Sequence, residues 1–339
     1  MEVDGNLNTK KMSLIIARNI QSNFIISSDT KISVPTDFLD KEKQTSYFNK
    51  NTERLEMRIS AIEGCLKSFL VSPLLCICYA GDVENARILI KHFVDTTNIQ
   101  CVETITEEQL KWIEFFFETN TPKNVDIILA VSYNKLPILY EIKSKKINKQ
   151  IQISHIGDDN VFSEFQYFFN EIHGSQENLL SRHSFSFDDM IAKQCSINSS
   201  VGDFVVEVLF NSEHSMFYYS HKFKGYDLFN PIVGFIANET QNFTEETTIN
   251  GKYSETYLRS DTFEPAFGIF FETFGILYHP IKILERNDSL HGIKINCSSI
   301  DDFIQKVFHD YEIWLCGTVF KNGIFIDKLT RQQISQNKK

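Results

Sequence analysis

The sequence is short of positive charge. Its 34 Lys and Arg are outnumbered by 44 Asp and Glu, a formal net charge of −10 over 339 residues. Non-specific nucleic-acid binding and docking on anionic membranes both need a basic footprint, so neither is expected. A disulfide framework is missing too. The seven cysteines are an odd count in a long chain, which argues against structural bridges. Cys76 and Cys78 alternate onto one face of an apolar strand. No second Cys or His pair has zinc-like spacing, so they are read as packing residues. The nine histidines, among them His155, His173, His183 and His214, form no H-x-x-x-H or H-E-x-x-H pattern. They are read as structural or surface residues. Asp158-Asp159 is read as a solvated turn, and no phosphate-binding glycine loop occurs. No metal or cofactor is therefore expected. Internal repeats of 20–50 residues are absent.

Long hydrophobic runs are scarce. Residues 1–12, MEVDGNLNTKKM, lack the apolar centre of a signal peptide. No run reaches membrane-spanning length; the longest, around Phe69 to Ala80, is interrupted by Ser and Pro. The expectation is a cytoplasmic protein away from membranes. What is present is ordinary globular composition, 42% hydrophobic and 23% charged, with Phe at 30 positions. Aromatic packing should dominate a core or an interface.

Two short apolar runs flank a polar turn at the start of this material. Leu14-Ile15-Ile16-Ala17 leads into Arg18 to Asn23, and Phe24-Ile25-Ile26 follows. That pattern predicts a β-hairpin. Ser13 opens its first strand, and Asp29 closes its second. Residues 33–58 are polar, with Pro35, and read as an insertion or long loop. Residues 71–80, VSPLLCICYA, read as one buried strand before Gly81. Asp82 can cap a helix over residues 82–94, and Thr106-Glu107-Glu108 starts another to Phe117. A second hairpin is predicted from Val125 to Lys143 about Asn134-Lys135. Residues 151–157 are short and β-like. Asn160 to Ile172 and Phe187 onward look helical. Strands follow near Phe204–Phe210 and Met216–His221. From Gly225 the stretches YDLFNPIVGFIA, FEPAFGIFFETFGILYHP and EIWLCGTVF are Phe-rich, Gly-punctuated and read mainly as strands, with a helix capped by Ser298 or Ser299. Uninterrupted βαβ alternation is absent, which disfavours a doubly wound parallel fold. Two antiparallel sheets packed face to face with helices outside fit the order better.

Ser13 and Asp29 are 16 positions apart, and Lys67 and Gly81 are 14 apart. Asp29-Thr30-Lys31 ends the first hairpin. VDIILAVSYNKLPILYEIK forms the second, ISHIGDDNVFSEFQYFF is a Gly-turn-helix segment, and NSSVG at 198–202 precedes the next strand. In these features, over residues 13–221, the chain resembles the proteasome β-subunit family of N-terminal-nucleophile (Ntn) hydrolases. That family starts its mature chain on a nucleophilic Thr or Ser and ends its second strand in an Asp-Ser-Arg-like motif. It places a Lys before a buried strand that ends in Gly. The chain departs from it in carrying Ser at the nucleophile position behind twelve residues, in the insertion at 33–58, and in lacking a distal acid.

The resemblance implies an α+β, four-layer α-β-β-α sandwich for residues 13–221; the chain from Gly225 on is not explained by it and reads as a β-rich C-terminal extension. Residues 1–12 would be a tail or propeptide, 13–221 the Ntn-like domain, 222–330 the extension and 331–339 a disordered tail. It implies an amidohydrolase or peptidase acting on peptide or amide bonds. Ser13, exposed by processing or by translation from Met12, would be the nucleophile and its own α-amine the base. Lys67 would lower the proton affinity of both, Asp29 would orient Lys67, and the Gly81 N–H would face the oxyanion. Lys31, Asn198 and Ser200 would support the site. The alternative is an inactive scaffold of the same fold. The Phe-rich region 222–330 could serve either one as an oligomer interface or partner surface.

Overall fold

A computed structural model describes residues 13–20, 23–30, 32–33, 61–62, 65–150, 152–196, 205–224, 233–238, 243–250, 253–260, 266–271, 274–286, 290–313, 315–316, 319–321 and 324–326. The expected tail at 1–12, nearly all of the insertion at 33–58, Lys31, Asn198, Ser200 and the tail at 331–339 lie outside the described residues. The fold is mixed α+β. Every strand pairing among the described residues is antiparallel.

The first hairpin forms as predicted, from β1 (Leu14–Ile20) and β2 (Asn23–Asp29). Short strands β3 (Ile32–Ser33) and β4 (Ala61–Ile62) pair with each other. Residues 71–80 are not one strand. β5 (Ser68–Ser72) ends in a turn at Pro73-Leu74, and β6 (Leu75–Gly81) returns beside it. Pro73 has no N–H for a ladder and its fixed φ suits a turn; the Ser72 hydroxyl accepts from Leu74 N at 3.2 Å. Helix α1 (Val83–Thr96) is capped by Asp82, and α2 (Glu107–Asn120) by a reciprocal Thr106–Gln109 capping box.

β7 (Val125–Tyr133) and β8 (Leu136–Lys143) are joined by Asn134 and Lys135, both at positive φ as two-residue hairpin turns favour. A second such turn, unsignalled by Gly, Asn or Asp, follows β8. Ser144 and Lys145, also at positive φ, lead into β9 (Lys146–Gln150). β10 (Ile153–Gly157) precedes α3 (Asp159–Tyr167), a π turn at Phe168–Ile172 and α4 (Leu179–Ser196). α4 starts eight residues before the predicted Phe187, because the Asn178 side chain accepts from Leu180 N and Ser181 N. β11 (Val205–Asn211) and β12 (Met216–Lys224) follow.

Next come β13 (Val233–Asn238), β14 (Phe243–Asn250), β15 (Tyr253–Ser260), β16 (Phe267–Phe271), β17 (Phe274–Tyr278), α5 (Pro280–Glu285) and β18 (Ile293–Asn296). Helix α6 (Ile300–Tyr311), capped by Ser299, and strands β19 (Leu315–Cys316), β20 (Val319–Lys321) and β21 (Ile324–Ile326) complete the order.

One sheet runs β10-β1-β2-β11-β12-β15-β14, and another β5-β6-β7-β8-β9. β1 and β10 touch β6 and β8 across the gap between them. Alternation along β1 divides its side chains between two cores. Ile15 and Ala17 join Leu75 to Ala80 of β6 and Ile127 to Val131 of β7. Leu14 and Ile16 point the other way, into Val161, Phe165, Phe187 and Met190 of α3 and α4. The first of these cores also takes in Phe93 and Phe117 of α1 and α2. β6 and β7 are buried on both faces, which is why they read as near-continuous apolar runs. A third sheet, β18-β17-β16-β13-β19, belongs to the C-terminal region. Its Phe267, Ile276 and Tyr278 share the core that Ile15 and Phe69 enter, and Phe267 sits 4.8 Å from the ring of Tyr219 on β12.

Candidate functional site

Three side chains chosen from the sequence meet where β1 begins, β2 ends and the chain approaches β5. Lys67 Nζ lies 2.9 Å from Ser13 Oγ, 2.8 Å from Asp29 Oδ1 and 2.9 Å from Asp29 Oδ2. The hairpin explains the first half of this meeting. Ile15 pairs with Ser28 and Ile16 with Ser27, so the start of β1 lies beside the end of β2. A 16-residue separation in sequence thereby becomes a contact. Lys67 arrives from the facing sheet, its carbonyl held by Tyr79 N at 3.1 Å.

The cluster is deep. Ser13 is 7% exposed, Lys67 1% and Asp29 0%. A buried charge is tolerated when it is paired and hydrogen-bonded. Asp29 meets both conditions, because its Oδ1 also accepts from Leu14 N at 2.9 Å.

The backbone around Ser13 is gripped from two sides. Its carbonyl accepts from Asp158 N at 2.8 Å, while the next amide, Leu14 N, donates to Asp29. Gly157 makes the first contact possible. Its φ is +109°, and a Cβ there would stand 1.9 Å from the Ser13 carbonyl oxygen. Asp158 also caps α3, its Oδ1 accepting from Asn160 N and Val161 N. Asp159 pairs with His155 across the turn. The Gly-turn-helix segment was legible in the sequence, but the contact of its Gly157-Asp158 with Ser13 was not.

Residues 65–67 are pinned by three separate parts of the chain. Cys65 N donates to Thr30 O at 2.9 Å, and Leu66 N to Leu290 O at 3.0 Å. Cys65 also forms an isolated bridge with His291. Its thiol lies 3.0 Å from the Tyr79 hydroxyl. Burial pushes that thiol up to about 11, with Tyr79 and Lys67 pulling weakly the other way. Burial raises the Tyr79 hydroxyl as well, reinforced by Cys65. Behind Lys67, Ser68 Oγ donates to Ser28 Oγ at 3.0 Å, and the Tyr219 hydroxyl to Ser68 O at 2.7 Å. Tyr79, Leu290 and His291 carry no local signal of this role; only the tertiary fold brings them to Lys67.

Gly81 stands apart from the hydrogen-bonded trio. It ends β6 two residues beyond Tyr79, opposite Val125, and is exposed. Its φ of +107° and a Cβ position 2.2 Å from Asn124 O require glycine there. Lys31, Asn198 and Ser200 lie outside the described residues. Cys76 and Cys78 are buried with their sulfurs 3.7 Å apart. Among the described residues, no three His, Cys, Asp or Glu side chains are grouped to hold a metal ion. No helix among them is long and apolar enough to cross a membrane.

The sequence matches no protein-family model, and no curated protein matches it. Chemically, the trio sets a cation against a hydroxyl oxygen and holds that cation with a carboxylate. Such a field stabilises the alkoxide form of the hydroxyl relative to bulk water.

Proposed function

We propose that this chain is a Ser-type Ntn amidohydrolase built on a four-layer α-β-β-α sandwich. The observation that carries the reading is Lys67 Nζ standing within 2.9 Å of Ser13 Oγ and of both Asp29 oxygens in a buried cluster. Ser13 becomes the nucleophile once it is the N-terminal residue. Its Oγ then attacks the carbonyl carbon of a peptide or amide, and its proton passes to the Ser13 α-amine. The carbonyl oxygen becomes the oxyanion, whose stabilisation the family resemblance assigns to the Gly81 N–H. The α-amine returns the proton to the departing amine as the C–N bond breaks. Water then cleaves the acyl ester and restores Ser13. Lys67 stabilises the developing alkoxide, and Asp29 keeps Lys67 charged and aimed. The grip of Asp158 N and Asp29 on the Ser13–Leu14 peptide holds the nucleophile in one orientation. The sandwich reading is supported by β1, whose alternate side chains enter a core shared with the facing sheet and another shared with α3 and α4.

The test is a covalent one. An amide-directed electrophile should form an adduct on Ser13, located by peptide mass mapping, and the adduct should vanish in Ser13→Ala and Lys67→Ala. An active preparation containing only chain that begins upstream of Ser13 would overturn the free-amine mechanism. The second reading, an inactive scaffold of the same fold, is favoured by the depth of the cluster. It expects no adduct under any condition and an unchanged biological readout in Ser13→Ala.

A further inference from the structure

A second constellation lies at the other end of β1, on the face that meets α3 and α4. Arg18 is two positions beyond Ile16 and follows its face. Arg182 occupies the first turn of α4. Both guanidiniums rest on one ring, that of Phe169 in the π turn, with their central carbons 3.8 Å and 4.1 Å from its centroid. The two cations are therefore within about 8 Å of each other, inside the Debye length at physiological salt. Three elements distant in sequence have been brought together to set two like charges against one ring.

No carboxylate forms an ion pair with either guanidinium among the described residues. Arg182 Nε is taken by the Phe169 carbonyl at 2.6 Å. Arg18 Nε is buried and makes no hydrogen bond to any of the described residues. Burial first, and Arg182 second, hold the Arg18 guanidinium down at about 10. The start of an 18-residue helix adds positive potential at the same place. Both arginines remain partly exposed, so a solute can reach them. In a chain of net charge −10, an uncompensated cationic pair of this kind is out of character.

We propose that Arg18 and Arg182 form a binding site for a doubly charged oxyanion of the phosphate type. A dianion matches the charge of the pair. A tetrahedral anion presents oxygens in several directions, so it can meet donors from two guanidiniums flanking one ring. Phe169 serves as the apolar wall that keeps both planar groups upright. The site is independent of Ser13 and holds whether or not that serine is catalytic.

The test uses the full chain and inorganic phosphate as the probe. Phosphate should raise the thermal midpoint saturably, whereas chloride at matched ionic strength should not. Arg18→Met and Arg182→Gln, which keep much of the packing on Phe169, should each weaken phosphate binding at least about fivefold, as expected for a lost charge-assisted contact. Equal stabilisation by chloride, or unchanged phosphate affinity in both variants, would overturn the proposal. Should a variant fail to fold, the Nε–H resonances of Arg18 and Arg182 in the wild-type chain decide. They should shift together along one phosphate isotherm while other arginine signals stay still, and static resonances would refute the site.

Discussion

Replacing Lys67 by Met isolates what the ion pair contributes, because Met preserves most of the apolar stem while removing the charge. Lys67 and Asp29 have side chains with no exposed surface. The variant leaves a carboxylate in a dry interior with the Leu14 N–H still bonded to it at 2.9 Å. Losing one partner of a buried pair costs about 3–5 kcal/mol, most of it from the charge left behind. Asp29→Asn strands the cation instead and should cost a similar amount. The double variant removes both charges, so its loss should fall short of the sum of the single losses by at least about 1–2 kcal/mol. Urea titrations of the four proteins, followed by tryptophan fluorescence and circular dichroism together, measure this coupling. Additive losses would refute the reasoning, since they would mean that water screens the pair or that the two side chains do not touch. A double variant as stable as wild type, yet inert towards the electrophile, would show that the pair is kept for chemistry rather than stability.

The other expectations concern separate parts of the molecule. Gly157→Ala should cost about 1–3 kcal/mol from its positive φ alone, and the clash with the Ser13 carbonyl should abolish adduct formation even in chain that stays folded, as seen by mass mapping after native-state labelling. Cys65, Cys76, Cys78 and Cys297 are buried free thiols, so a thiol reagent at pH 8 should leave them unmodified in the native protein and label them on unfolding; rapid native labelling of Cys65 would contradict its protonated, packed state. Burial holds the His279 imidazole down to about 4, so the folded state keeps it neutral while the unfolded chain takes up a proton below about 6.5. Its contribution is therefore complete above pH 6.5 and lost as pH falls towards 4, by no more than about 3 kcal/mol. His279→Gln should flatten the stability–pH slope in that window, and an unchanged slope would count against it.

Local chemistry explains which elements could be read in advance. Asn134-Lys135 lies between two apolar strand-forming runs, and Asp82 and Thr106 precede amphipathic stripes, so turn and caps follow from neighbours in sequence. The turn at Ser144-Lys145 uses the same backbone conformation without a residue that favours it. β14 and β15 pair along FTEETTIN and YSETYLRS, segments rich in polar residues that give no apolar face to detect. α4 opens on LLSRHSFS, where repeated Ser and His interrupt the helical signal, and its start is set by the Asn178 cap.

The site shows the same division at finer scale. Ser13 and Asp29 were legible because one hairpin joins them, and strand geometry turns a count of residues into a distance. Lys67 is singled out by the family resemblance rather than by local pattern, and it reaches them only across the gap between sheets. Its position is fixed by Thr30, Tyr79 and Leu290, the last of these 223 residues further along the chain. No periodicity encodes such a contact. The pinning of residues 65–67 also bears on the C-terminal region. Leu290 and His291 hold the strand that aims Lys67, and Phe267 and Tyr278 pack into the same core. A region that appears in the sequence as an appendage is thus one wall of the site's support. Replacing Leu290 by Pro leaves its carbonyl in place but changes the path of the segment that presents it to Leu66. If the wall aims Lys67, such a variant should lose Ser13 labelling while Ser13 itself stays intact. Labelling at the wild-type rate in folded protein would show that Thr30 and Tyr79 suffice.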